Sequence, residues 1–335
     1  MHEMRSRALG ALYGLAIGDA LGMPTQSLPR AEIVARYGPL VGEFHPGPAG
    51  HPLAAGLPAG TVTDDTEQAV LLAGLVVAGG GEVDAAELAR ALLAWEESMR
   101  ARGSLDLLGP STRQALAALA AGAGVAEAGR HGVTNGAAMR VAPVGIATSA
   151  RGPGLLEDRV VAASRLTHNT GVALAGAAAV AAAVSAGIDG DPVPVAIGRA
   201  VAAAASAARR GHWAAAADVA ARITWATGLV AGLPQGQVID TVYRLVGTSL
   251  ATQESVPAAF AVAAAIPDPW LACRVAASLG GDCDTIAAMT GAICGACHGA
   301  GAFPAAARET VARVNGLDFG PLAADLLAIR SAAHD

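Results

Sequence analysis

The chain has 335 residues, 53% hydrophobic, 15% charged and only 3% aromatic, with a formal net charge of −6. Its length allows two domains or one large helical one, and an apolar content made mainly of Ala, Val and Leu favours closely packed helices over a sheet. A negative balance without any run of Lys or Arg excludes nucleic acid and anionic membrane surfaces as the main partners.

Arg5 and Arg7, followed by residues 8–18, imitate a signal peptide only faintly. The segment has no Leu-rich centre and runs into Asp19, so a cytoplasmic protein is expected. Residues 4–23 carry glycine at every fourth position, Gly10, Gly14, Gly18 and Gly22. On a helix these form one smooth stripe that admits another backbone at close range. Residues 38–62 are rich in Gly and Pro and lack periodicity, which predicts a long loop and a possible lid, with Glu43 and Phe44 its conspicuous side chains. Thr63-Asp64-Asp65-Thr66 then precedes an apolar helix over 67–77.

Helical patterns resume over 83–102 and 111–121, and 131–136 reads as a turn before an apolar stretch, 137–146. Ala-rich helices follow over 155–165, 171–186, 194–209 and 213–229, then 238–246, 257–265, 269–278 and 286–298, with two more near the C-terminus. The uncharged run 169–188 has the length of a membrane span, but its Ala, Gly and Ser content predicts a buried core helix. Gly291, Gly295 and Gly299 repeat the glycine stripe, so the two striped helices are predicted to pack together and carry Asp19 toward the acidic turns. The four cysteines are clustered, unlike a secreted disulfide framework. Cys294-Gly295-Ala296-Cys297-His298 spells a c-type haem attachment sequence, but inside a striped apolar helix its thiols are expected to be small core residues. Trp95, Trp213, Trp225 and Trp270 are expected in the core. No period-two alternation, heptad or long repeat is present, so 1–335 reads as one all-α domain.

The stretch Gly280-Gly281-Asp282-Cys283-Asp284-Thr285 holds two aspartates one residue apart before an uncharged helix. As a helix start it can be a capping arrangement with a spare acid. The matching acidic turn at 63–66 points further. Four carboxylates brought together repel unless a cation sits among them. Hard oxygen ligands without His suit magnesium rather than zinc.

Five pieces resemble the ADP-ribosylglycohydrolase family in sequence and order. They are Gly14-Leu15-Ala16-Ile17-Gly18-Asp19-Ala20-Leu21-Gly22, Thr63-Asp64-Asp65-Thr66, the run from Asn135 to Pro143, Thr167-His168 and the block from Gly280 to Thr285. The resemblance spans residues 14–295 and implies an all-α orthogonal helical bundle that binds two Mg²⁺ or Mn²⁺ ions. It also implies cleavage of the bond between ADP-ribose and an acceptor, such as an arginine or serine side chain, by an activated water. Thr63, Asp64, Asp65, Asp282, Asp284 and Thr285 would hold the metals. His168, with the turn Gly132, Val133, Thr134 and Asn135, would meet the ribose and diphosphate, and Asp19, Gln26, Gly136 and Met139 would complete the substrate site. Such a reaction passes through an oxocarbenium-like transition state and needs a water poised on one face of the sugar. Asp65 or Asp284 is the expected water-activating group.

One position departs from the family pattern. Many relatives carry a glutamate where this chain has Gln26, and an amide cannot take a proton from water at neutral pH. Either a metal-site aspartate takes over that work or Glu43 replaces the missing carboxylate. The alternative is drift toward a free nucleotide-like or ribosyl metabolite, or toward an ADP-ribose binder without turnover. The expected partner is an ADP-ribosylated protein or an ADP-ribose-containing small molecule. Asp106 precedes a stretch, Gly109 to Arg113, that resembles a family segment carrying an acid one residue later, and reads as a surface residue.

Overall fold

The computed structural model describes residues 2–152 and 154–332. Helix α1 (His2–Gly22) leads to α2 (Arg30–Tyr37), and a helix-free loop runs to α3 (Asp64–Ala78). Next come α4 (Ala85–Ala101), α5 (Pro110–Ala120), the single turn α6 (Val125–Ala128), α7 (Gly136–Arg140), α8 (Ala142–Ala147) and α9 (Leu155–Ser164). α10 (Gly171–Ile188), α11 (Val193–Ala207), α12 (Val219–Leu229) and α13 (Gln235–Thr241, extended by a π-helical turn) follow. The chain finishes with α14 (Thr252–Ala265), α15 (Pro269–Ala277), α16 (Cys283–His298), α17 (Ala305–Asn315) and α18 (Phe319–Ala332). Among the described residues there is no β-strand, only the isolated bridges Thr134–Ala251 and Thr170–His212.

The two glycine stripes meet, antiparallel, at the centre of the molecule. A Cβ built on Gly14 would lie 2.1 Å from the Gly291 carbonyl oxygen, and one on Gly18 would lie 2.0 Å from that of Ala287. In return, Cβ atoms on Gly291 and Gly295 would strike the Gly14 and Gly10 carbonyls at 1.9 and 2.0 Å. Backbone therefore packs on backbone along α1 and α16, a contact that only missing side chains permit. Gly22 continues the stripe onto the Asp284 backbone. The C-terminal end of α1 and the N-terminal end of α16 thus share one end of the pair, and Asp19 is carried there with Asp284.

Every residue of α10 is buried. The helix is long and apolar enough to cross a membrane, yet it lies inside the fold. Close to its C-terminal end Arg330 of α18 reaches in. Its guanidinium donates to the carbonyls of Gly145, Thr148 and Ser185 at 3.0, 2.7 and 3.1 Å and to Asp189 at 2.6 Å. One side chain thereby satisfies an orphan carbonyl at the end of α8 and ties it to the end of α10.

The structure departs from the sequence reading where side chains interrupt apolar runs. The stretch 137–146 is two short helices, because Pro143 cannot donate to the carbonyl four residues back. α14 begins at Thr252 and includes Pro257, and the Gln253 carbonyl that proline leaves free accepts from Arg222 Nε at 3.2 Å. Asp218 caps Ala221 at 2.7 Å and delays the start of α12, leaving Trp213 outside the helix and 87% exposed rather than in the core. Trp225 is also exposed, at 42%, with Arg222 stacked over it. Helix α2 has no counterpart in the sequence reading. Cys294 and Cys297 are buried core thiols on α16, both pushed up by burial, as the packing argument required.

Candidate active site

The first acidic turn is held from below by Asp19. Its buried carboxylate accepts from the backbone N–H groups of Thr63 and Thr66, at 3.0 and 3.1 Å, and from the hydroxyls of both threonines. α1 therefore caps the N-terminus of α3, satisfying free N–H groups where the helix dipole favours an anion. Burial still raises the Asp19 carboxyl to about 6, against those hydrogen bonds. The Thr63 hydroxyl also accepts from the Asp65 N–H at 3.4 Å.

The second turn needs Gly280 and Gly281, both left-handed at φ 91° and 69°. Its backbone is pinned on two sides. Gly281 N–H donates to Leu28 at 3.0 Å and Asp282 N–H to Thr248 at 2.7 Å. The turns then meet, for Thr285 Oγ1 donates to Asp65 Oδ2 at 3.2 Å. Asp282 accepts from Asn135 Nδ2. Cys283 points away, against Thr25 Oγ1 at 3.2 Å.

A cavity of about 610 Å³ opens on this junction. From the acidic turns Asp64, Asp282, Asp284 and Thr285 face it, while Thr63 and Asp65 lie just beneath. Gln26, Thr134, Asn135, Gly136 and Met139 line it as well. His168 is fully buried behind that wall: a Cβ on Gly136 would come within 3.0 Å of its ring, and Nε2 is 3.1 Å from Thr134 Oγ1. Burial, then the nearby Arg140 charge, holds this imidazole well below its usual pKa, so it is neutral.

Besides Thr63, Asp65 and His168, which is fully buried rather than facing the cavity as expected, four expected site residues are outside the lining. Glu43 is exposed and outside the lining, at the start of a loop whose Val41 and Phe44 pack on Ser278 and Trp270. From that loop Leu53 reaches the cavity. Asp19 is spent on its cap. Gly132 and Val133 are not in the lining, and their carbonyls accept from Thr170 and Thr252 hydroxyls at 2.6 and 2.9 Å. The N–H groups of Gly132 and Asn135 are likewise taken, by Gly129 and Leu250, so they are not free to cradle a phosphate.

Asp106 is the acid the sequence reading left on the surface. It is 8% exposed and lines the cavity across from the second turn, with the Asp64 backbone N–H donating to it. The loose match to a family segment was its only signal. Burial, then the Asp19 charge, raises Asp106 to about 7, and burial raises Asp282 to about 6. Asp64, Asp65 and Asp284 are pushed well above the carboxylate range by burial and by one another.

The donor set fits a hard divalent cation. Asp65 Oδ1, Asp284 Oδ1 and Asp106 Oδ2 are buried without a hydrogen-bond partner, which costs free energy unless something positive takes them. Among the described residues no three carboxylate, imidazole or thiolate groups form a ready-made cage. Hydroxyls, water and substrate oxygens would therefore complete any shell, as magnesium sites commonly allow.

The all-helical scaffold is that of the glycosyl hydrolases to which this chain is similar. Residues 1–334 match the family model described as ADP-ribosylglycohydrolase. The chain is 38% identical over 97% of its length, and 97% of the relative's, to the uncharacterized protein YegU of Escherichia coli (strain K12). It is 32% identical to an uncharacterized Archaeoglobus fulgidus protein over 88% of each. Over 50% of this chain and 53% of the relative, it is 34% identical to the ADP-ribosyl-[dinitrogen reductase] glycohydrolase of Rhodospirillum rubrum. A solved ADP-ribosylglycohydrolase-related protein complex superposes with a TM-score of 0.71 at 27% identity, covering 98% of this chain and 99% of that one. The chain belongs to the ADP-ribosylglycohydrolase family, a family of glycosyl hydrolases that are generally metal-dependent and act on ADP-ribosylated substrates.

Proposed function

We propose that this chain hydrolyses the glycosidic bond joining ADP-ribose to an acceptor, arginine- or serine-linked, with the sugar bound at the junction of the two acidic turns. The observation that carries this reading is the convergence of Asp64, Asp106, Asp282 and Asp284 on one cavity of about 610 Å³. Two Mg²⁺ or Mn²⁺ ions held by Thr63, Asp64, Asp65, Asp282, Asp284 and Thr285 would supply charge compensation and a Lewis acid for sugar and water oxygens.

The chain's own residues do the rest. A water on the open face of the ribose attacks the anomeric carbon as the bond to the acceptor breaks; a carboxylate takes the proton that the water gives up, and the acceptor leaves with the bonding electron pair and gains a proton. Asp284 faces the cavity and is assigned that water, whereas Asp65 is beneath the surface and serves as the hinge between turns. Asp106, which lines the same cavity and accepts from the Asp64 backbone N–H, is assigned to orient the leaving group. Gln26 lines the wall as a hydrogen-bonding group that holds substrate without moving a proton.

A second reading is favoured by one observation. Among the described residues lining the cavity none is aromatic, so the apolar neighbours open to an adenine ring are aliphatic, such as Leu105 and Leu250. Together with Gln26, this supports a ribosyl metabolite without a stacked base. Release of sugar from ADP-ribosyl-arginine, ADP-ribosyl-serine and the corresponding ribosyl conjugates, with and without chelator, separates the two. Asp284→Asn is expected to lower kcat at least a hundredfold on the true substrate. Turnover indifferent to both chelation and Asp284→Asn ends the metal-assisted reading, and tight ADP-ribose binding with no turnover of any conjugate makes the chain a binder.

A further inference from the structure

Arg140 is an anomaly of charge. It is 1% exposed, and among the described residues no carboxylate lies within ion-pair distance of it. Its guanidinium donates instead to two neutral oxygens, Gln68 Oε1 at 3.2 Å and Thr167 Oγ1 at 2.6 Å. A buried arginine that keeps its charge without a direct counter-ion is expensive, and both neighbours pass its influence on.

On one side Gln68 Nε2 donates to Asp64 Oδ2 at 2.9 Å. A guanidinium only donates, so the amide must turn its oxygen to Arg140 and its nitrogen to Asp64. On the other side the Thr167 hydroxyl, having accepted from Arg140, must send its own hydrogen onward. His168 Nδ1 is 2.8 Å away and the Ser164 carbonyl 3.4 Å, so the ring nitrogen takes it. The neutral imidazole then carries its hydrogen on Nε2, 3.1 Å from Thr134 Oγ1, and the Thr134 hydroxyl turns to Ser111 Oγ at 2.9 Å. Thr134 is left with a lone pair, and no hydrogen, for the cavity it lines.

We propose that Arg140 is the positioning residue for both walls of the cavity, fixing Asp64 through Gln68 and the Nε2–H tautomer of His168 through Thr167. The consequence for recognition is specific. Thr134 is set as an acceptor, which suits a sugar hydroxyl and repels a phosphate oxygen. The Asp64 arm rests on the cation site proposed above, and the His168 arm stands without it.

Two readouts separate the arms: Mn²⁺ binding followed by electron paramagnetic resonance, and the His168 tautomer followed by ¹⁵N–¹H NMR of ¹⁵N-histidine-labelled protein. Gln68→Leu should weaken Mn²⁺ binding about tenfold or more, the usual effect of removing a group that orients a metal ligand, and leave the tautomer unchanged. Thr167→Val should shift the His168 tautomer and leave Mn²⁺ binding unchanged. Arg140→Met should do both, and where it does not fold the two flanking variants decide alone. Wild-type protein that binds Mn²⁺ no more tightly than Gln68→Leu overturns the relay, as does a tautomer indifferent to Thr167→Val. Wild-type protein that takes up no Mn²⁺ at all overturns the proposed cation site and the Asp64 arm together.

Discussion

Thr285 Oγ1 and Asp65 Oδ2 are 3.2 Å apart, although 220 residues separate them in the chain. This is the direct bond between the two acidic turns, and it leaves Asp65 Oδ1 buried and unpartnered beside the cavity. Removing it should loosen the turns relative to each other. Asp65→Asn and Thr285→Val are expected to be strongly non-additive, with a coupling of about 0.5–3 kcal/mol in a double-mutant cycle on chelated protein. Additive losses of stability would show that the turns do not depend on each other.

The α1–α16 contact predicts an unusual ranking of glycine substitutions. Gly18→Ala forces a Cβ to 2.0 Å from the Ala287 carbonyl and is expected to cost about 1–3 kcal/mol or more by denaturant unfolding. Gly74→Ala, exposed within α3 with nothing near its Cβ, is expected to add about 0.5–1 kcal/mol. Equal effects at the two sites would mean that the stripes are not in backbone contact.

His51 predicts a pH dependence. Its Nδ1 accepts from the N–H groups of Leu53 and Ala54 at 3.1 and 2.9 Å, while Nε2 donates to the Gln26 carbonyl at 2.9 Å. That arrangement needs a neutral ring, and burial lowers its pKa from the ordinary 6.5. The unfolded chain therefore takes up this proton first. The contribution is complete above about pH 6.5 and is lost as the pH falls below it. The urea midpoint of wild type relative to that of His51→Ala should decline between pH 8 and pH 5, a difference in which the raised carboxyls of the acidic turns, which favour the folded state as the pH falls, cancel. His168, shifted the same way, keeps part of the slope in both proteins.

Arg113, in the first turn of α5, is the sole basic side chain among the described residues lining the cavity. A substrate carrying a diphosphate should use it. Arg113→Gln is expected to raise KM about tenfold with kcat nearly unchanged, an effect that weakens with added salt. For a ribosyl substrate without phosphate, no change in KM is expected, so the variant also distinguishes the two substrate readings.

What the sequence made legible was whatever repeats locally or carries its chemistry in one short run. Glycine every fourth residue announced the α1–α16 contact, and two acidic turns before apolar helices announced the cavity floor. Asp106 and Arg140 were opaque for the opposite reason. Nothing in the residues around Asp106 says that α5 and the second turn will enclose it, and Arg140, which the sequence allows as a buried ion pair or a ligand, proves to be buried against the neutral oxygens of Gln68 and Thr167. Glu43 was chosen on charge and loop position, but its neighbours Val41 and Phe44 anchor that segment on Ser278 and Trp270, away from the cavity. The helix α2 escaped notice because eight residues give too few turns for a periodic signal.

The backbone contact between α1 and α16 also sets an order of events during synthesis. The first helix leaves the ribosome with a smooth face that nothing local can cover, and its partner is made near the end of the chain. At elongation rates of about 5–20 residues per second, α1 waits on the order of tens of seconds before the pair closes. Through that interval the glycine face of α1 has no α16 backbone to pack on, and truncation before α16 leaves it without that surface.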